Sequence, residues 1–406
     1  MWMEYWLSNA RLETGFVWGD GRVVGTETNL FDLFVRDGKI TEIQTAGAAD
    51  KANLPVKNAD GYLVVPSFVE KHIHLDKTKL GAPWSAVTPV NSIVERFTLE
   101  TDELAALPVG MADRARKLID IELRNGATMF RSHIDVHPRA GLKYLETIQE
   151  VLQGYSGKLE SELVAFPQHG LLRSDSVALV REALRSGATL IGGVDPGNVD
   201  GDVERSLETM FELAVAENAG VDIHVHDRGE VGKATFWKLL ELVKESRLQG
   251  RVAVSHAFAL GDFDGAEKAE LFGELATERV AIVTSVPIGG QIPPINDLEE
   301  AGVTVHVGCD NVYDCWSPYG NADLLERIGR LGEITGRVTE DRLAQTLGLI
   351  TNGVTPLDRK GNQVWPKVGD DANFVLVDAS CTAELVARRS TRKATIFRGN
   401  VVAGEL

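Results

Sequence analysis

Leu63-Val64-Val65-Pro66-Ser67-Phe68-Val69-Glu70-Lys71-His72-Ile73-His74-Leu75-Asp76 is an apolar run that climbs into a His-x-His pair. Side chains alternate across a strand, so His72 and His74 point one way and Ile73 the other. Two imidazoles on one face at the C-terminal end of a buried strand make half of a metal site. Two satisfied core histidines are the competing reading, which suits a lone histidine better than this pair followed by Asp76.

Further along the chain, apolar runs alternate with helical patterns. Leu63 to His74, Ala127 to Val136, Leu163 to Phe166, Thr189 to Val194, Val221 to Val225, Arg251 to Val254, Val280 to Thr284 and Val303 to Val307 read as eight strands. Amphipathic segments such as Met111–Arg124, Ser176–Arg185 and Val203–Asn218 separate them. That count and rhythm predict an α/β protein built on a (β/α)8 TIM barrel. A doubly wound open sheet is the competing architecture, but no Gly-x-Gly-x-x-Gly opens a helix after the first strand.

The two ends of the chain have a different character. Leu30–Val35, the Asp37-Gly38 turn and Lys39–Ile43 read as a hairpin; Asn373–Val377, Ala394–Phe397 and Val401–Val402 read as short strands. Neither end can bury a core alone, so the two are expected to join in one small discontinuous β-sandwich. The expected division is 1–62 and 366–406 for that domain and 63–365 for the barrel.

The chain has 406 residues, 42 basic against 59 acidic, and a net charge of −17. That balance argues against nucleic acid or an anionic membrane as partner. A small-molecule substrate is expected, and a homo-oligomer is compatible with the composition. No basic leader or membrane-length apolar run is legible, and three cysteines suit a reducing compartment, so a cytoplasmic location is expected. Cys309 and Cys315 are read as small buried hydrophobes. Trp2, Trp6 and Trp18 are read as packing or interface residues.

All nine histidines, at 72, 74, 133, 137, 169, 224, 226, 256 and 306, fall inside the expected barrel, at or just after a strand. Barrel enzymes collect their reacting groups at the C-terminal strand ends. Strand five ends in His224-Val225-His226-Asp227, strand six in Ser255-His256, and strand eight carries His306, Gly308 and Asp310 on one face. Imidazoles from strands one, five and six and a carboxylate from strand eight suit Zn or Fe, with Mn also accepted, and leave room for a water. Such a water is acidified towards neutrality and can attack an electrophilic carbon. Asp310 is the candidate proton acceptor and His256 the candidate to orient the water or polarise the substrate. A helix N-cap is the plainer role for Asp310.

These residues resemble the amidohydrolase superfamily and, within it, the cytosine deaminase branch. The carrying motifs are Pro66–Glu70 running into His72-x-His74, Val164-Ala165-Phe166-Pro167-Gln168, His224-x-x-Asp227, Ser255-His256-Ala257 and Gly308–Trp316. The resemblance implies one divalent metal held by His72, His74, His224 and Asp310, with His256 beside the attacking hydroxide. It also implies that Gln168 bonds an amide-like substrate edge while Phe166 and Trp316 line the pocket. No lysine ends strand four at Ile191–Asp195, where dinuclear relatives carry one. Two positions depart from the deaminase pattern: Asp227 stands for the glutamate that ferries protons, and Asn311 for an aspartate.

His226 is expected to contact substrate or to brace a neighbouring ligand, and His133, Asp135 and His137 to brace the metal site. His169 belongs to the pocket wall or to a surface loop. The expected activity is hydrolysis of a C–N bond in a small nitrogen heterocycle, in the manner of a cytosine deaminase. Amide or cyclic-amide hydrolysis is the alternative, favoured by Asp227 and Asn311. A non-catalytic binding barrel is disfavoured by the intact ligand set.

Overall fold

The computed structural model describes residues 4–406, so Trp2 lies outside the described residues. Eight parallel strands follow one another round a sheet in chain order: Phe68–Ile73, Ala127–Asp135, Glu160–Phe166, Leu190–Val194, Gly220–His224, Val252–Ser255, Ala281–Thr284 and Val305–Val307. Helices stand between them, each laying an apolar stripe on the sheet. In Met111–Arg124 the stripe is Ala115, Leu118, Ile119 and Leu123, the spacing of one helix face. Asp202 and Asp323 cap two of these helices by accepting the Arg205 and Leu325 amides. The barrel closes at the site itself, where the Asp310 amide donates to the His72 carbonyl at 2.7 Å and Ile73 bridges Asp310.

The long first strand expected from Leu63 to His74 is two strands. Leu63–Pro66 leaves the barrel and pairs antiparallel with Phe374–Val377 in the terminal sheet, and the barrel strand begins at Phe68. Pro66 has no amide to continue a ladder, and the Ser67 amide donates to the Asn373 carbonyl. One apolar run thus serves two sheets, which an unbroken hydrophobic pattern cannot reveal.

The terminal strands form one hydrogen-bonded sheet. Its order is Asn400–Gly404, Arg392–Phe397, Phe374–Val377, Leu63–Pro66, Tyr5–Gly19, Arg22–Arg36 and Lys39–Thr45, with Val56–Asn58 also pairing Tyr5–Gly19. Both ends of the chain supply its core, through Leu7, Leu33 and Val35 on one side and Phe374, Leu376 and Ile396 on the other. The Tyr5 hydroxyl donates to the Gly399 carbonyl across 394 residues of sequence. Trp6 stacks on Phe34, whereas Trp18 is exposed near the tip of the first hairpin. No helix among the described residues is long and apolar enough to cross a membrane.

Asp32 ties this sheet to its loops. Its buried carboxylate accepts the Asn9 amide at 3.2 Å and the Gly47 amide at 2.9 Å, and pairs with Lys51 at 2.7 Å. Burial opposes its ionisation, but Lys51 and the two amides hold its pKa below the usual carboxylate range. Asp32→Ala is expected to cost about 2–3 kcal/mol, read from denaturant unfolding. A depressed pKa stabilises the fold above the ordinary carboxylate range and loses that contribution as pH falls through the folded value. The gap between variant and wild type should therefore close in acid.

Candidate active site

Alternation on short parallel strands places the donors together. His72 and His74 end the first strand, His224 ends the fifth, and Asp310 follows the eighth, all buried at the C-terminal mouth. Asp310 Oδ1 lies 3.4 Å from Nε2 of both His72 and His74, and the His72 and His224 rings are 4.6 Å apart. Non-glycine residues here sit in the left-handed region, among them Asp195 at φ 40°, His256 at 68°, Ala257 at 55° and Asp310 at 57°. Such backbone costs on the order of 1–3 kcal/mol per residue and persists where its surroundings impose it.

Several ring nitrogens are buried without a hydrogen-bond partner, namely His72 Nε2, His74 Nδ1 and both nitrogens of His224 and His133. Orphaned imidazole nitrogens around a carboxylate are the donor set a divalent metal takes. His72 also shows how its tautomer is set. Ser255 Oγ donates to Asp222 Oδ1 at 2.8 Å, so its lone pairs face His72 Nδ1 at 2.7 Å. Nδ1 must then carry the proton, and Nε2 is left with a free lone pair. Asp222 is held in turn by Arg131 at 2.8 Å. His133, expected only to brace the site, lies with its ring 4.3 Å from that of His72 and 4.6 Å from that of His224, close enough to share their cluster.

Close packing under the ligands needs Gly308. A Cβ there would come within 2.6 Å of His72 Cβ and 2.8 Å of the His72 amide. Gly308→Ala should therefore displace both His72 and Asp310, lowering stability by about 1–3 kcal/mol and weakening metal retention against a chelator.

The cleft above the donors is lined by Phe166, Gln168, His226, His256, Asn311 and Trp316, together with Lys77. Phe166 stacks on His224 with ring centroids 4.2 Å apart. The Trp316 indole donates to Glu100 at 3.1 Å, and Asn311 donates to Asp314 at 2.8 Å. Gln168 is clamped between Lys77 and Glu100. His226 stacks on His256 at 4.2 Å, and its Nδ1 faces Asp195 Oδ2 at 3.0 Å. Burial opposes charge on His226, yet the Asp195 carboxylate raises its pKa, while burial and the charge on His226 push His256 well below the usual range.

Asp227 is placed otherwise than expected. Its carboxylate turns away from the cleft and accepts the Gly197 and Asn198 amides and the Asn198 side chain, tying down the loop after strand four. A side chain shorter by one methylene than glutamate reaches that loop instead of the substrate. His137 and His169 stack 4.2 Å apart beside Asp135, with His169 half-buried in the turn after strand three. His306 faces the opposite mouth of the barrel. Cys309 and Cys315 are buried, and burial raises both thiols, in keeping with packing roles.

Lys77, Glu100 and Asp195 are the groups that strand reading missed. Lys77 follows His74 by three residues and carried a signal in that spacing. Glu100 comes from the helix Ile93–Ala105, whose path over the mouth is not written in any strand pattern. Burial opposes charge on Lys77, but Asp135, Glu100 and Asp76 keep it protonated.

A parallel barrel with buried imidazoles and a carboxylate converging at its C-terminal mouth has the donor arrangement of a metal-dependent hydrolase. The amidohydrolase family model matches residues 129–403, and the chain belongs to that family. It is 42% identical over 406 residues to the uncharacterized protein YahJ of Escherichia coli strain K12, covering 99% of this chain and 88% of that one. The crystal structure of N-isopropylammelide isopropylaminohydrolase from Burkholderia multivorans superposes with a TM-score of 0.86 at 30% identity, covering 99% of this chain and 98% of that one. The 5-methylcytosine deaminase of Klebsiella pneumoniae, liganded with 5-fluorocytosine, superposes at 0.80 with 25% identity, over 99% and 98% of the two chains.

Proposed function

We propose that the enzyme hydrolyses the exocyclic C–N bond of an oxo-substituted six-membered nitrogen heterocycle, a pyrimidine or a triazine, releasing ammonia or a small alkylamine. One divalent metal, held by His72, His74, His224 and Asp310, fits the donor set. The observation that carries the reading is the pairing of this donor set with a hydrogen-bonded His226–Asp195 couple and a Lys77–Gln168 pair on one cleft. The names of the structural relatives, both hydrolases of amines on such rings, support the substrate class.

A divalent ion bound there supplies a nucleophile from water at neutral pH. Burial opposes ionisation of Asp310, but the imidazoles of His72 and His74 hold its pKa well below the usual range, so it is ionised and able to accept a proton. Burial opposes charge on His226, but the Asp195 carboxylate raises its pKa, so it is placed to protonate the departing nitrogen, the role the deaminase pattern gives to a glutamate. His256, held neutral beside it, offers a hydrogen bond at the reacting carbon's oxygen or nitrogen. Lys77 and Gln168 present donors to a ring carbonyl, and Phe166 and Trp316 flank a flat ring.

Amide hydrolysis drew its support from Asp227 and Asn311; Asn311 still lines the cleft, while the Asp227 carboxylate is committed to the Gly197–Asn198 loop, which weakens that reading. A panel of aminopyrimidines, amino- and alkylamino-hydroxytriazines and simple cyclic amides, assayed for released amine, tests the proposal. Release from the ring amines with none from the amides is expected; turnover confined to the amides refutes it.

A further inference from the structure

The inward rows of the barrel change character towards its N-terminal mouth. On three neighbouring strands the inward positions are Gly220, Ala253 and Ala281, too small to fill the bottom layer that bulky side chains normally close. A cavity of about 470 Å³ remains, open to solvent on the side away from the metal site.

Its chemistry is unlike the rest of this acidic chain. Inside, Glu162 serves both Arg131, at 2.8 Å, and Lys71, at 3.5 Å, while Arg131 also holds Asp222, so the inner charges balance. At the rim stand Arg251 and Arg279, whose guanidinium groups meet only neutral partners: Asn218 for the first and the Gln249 carbonyl for the second. Neither forms an ion pair among the described residues. Against a net charge of −17, two uncompensated arginines at one opening are a local excess of positive charge. Deeper in, His306 is 7% exposed and lines the cavity, and its Nδ1 is buried with no hydrogen-bond partner. A buried polar atom left unpaired costs about 1–3 kcal/mol, which a bound polar group would recover.

We propose that this N-terminal mouth is a second ligand site, taking a small polar molecule with an anionic head, either a phosphate or a cluster of carboxylates. The head meets Arg251 and Arg279, whose planar forks suit oxyanions. The polar body passes the exposed Thr304 at the mouth and reaches His306 inside. The site is separate from the catalytic cleft, and its occupancy does not depend on which heterocycle the enzyme hydrolyses.

Calorimetric titration of the metal-loaded enzyme with inorganic phosphate and with citrate, at constant ionic strength, tests this and separates the two head groups. We expect one equivalent of at least one probe to bind. Affinity should fall at least about tenfold in the double variant R251E/R279E. Both substitutions are exposed and remote from the catalytic cleft, so unchanged thermal unfolding and amine release show that the variant is intact. A companion variant, His306→Phe, should weaken binding through the loss of its ring nitrogens. Absence of binding at millimolar concentrations of either probe overturns the proposal. So does binding unaltered in the double variant, which would place the anion at the metal centre.

Discussion

Asp310→Asn is expected to lower turnover by at least about a thousandfold while the protein stays folded. The substitution is nearly isosteric, and asparagine tolerates the left-handed backbone that position 310 adopts, at φ 57°. The barrel closure through the Asp310 amide is therefore kept. What disappears is the negative charge 3.4 Å from both His72 and His74, and with it the proposed proton acceptor. A purely structural cap would show the reverse: near-normal turnover and a lowered melting temperature. Measuring kcat/KM beside thermal unfolding separates the two roles.

Ser255→Ala is expected to weaken metal binding by about 10–100-fold, although Ser255 is not among the proposed ligands. Its hydroxyl stands between His72 Nδ1, at 2.7 Å, and Asp222 Oδ1, at 2.8 Å. Removal leaves both without a partner, at a cost of about 1–3 kcal/mol, and frees the His72 ring to turn or to shift its proton to Nε2. Competition against a chromogenic chelator reads the effect directly, and the loss should appear in affinity more than in turnover at saturating metal. Ser255→Thr, which keeps the hydroxyl, should restore much of it. Equal affinity in the alanine variant and wild type would show that His72 is oriented by packing alone.

The barrel was legible because its strands are buried on both faces and so appear as uninterrupted apolar runs between amphipathic helices. The donors were legible in part for a related reason: period-two alternation brings imidazoles of strands one, five and six and the Asp310 carboxylate to one end of one cylinder, and the family resemblance singles out His72, His74, His224 and Asp310 among them. Where one apolar run served two sheets, at Leu63–Pro66 and Phe68–Ile73, the pattern concealed the break. Side chains whose direction depends on a loop were equally opaque. Asp227 could be placed at the end of strand five but not aimed, and its carboxylate went to the Gly197–Asn198 turn. Asp195 and Glu100 were invisible as site residues for the converse reason: one ends a strand noted only for lacking lysine, and the other rides on a helix far from any histidine motif. His306 shared the alternation of Asp310 yet faces the other mouth, because the four residue steps between them span about 13 Å along the barrel.

The central claim is that donors more than two hundred positions apart in sequence hold one cation at the C-terminal mouth. Anomalous diffraction from crystals of the purified protein, collected at the absorption edge of the metal found by elemental analysis, tests it most directly. The account predicts a single peak about 2.0–2.2 Å from nitrogens of His72, His74 and His224 and from an Asp310 oxygen. A metal seated elsewhere, such as among Glu70, Glu122 and Cys309, or no peak after metal loading, would contradict it.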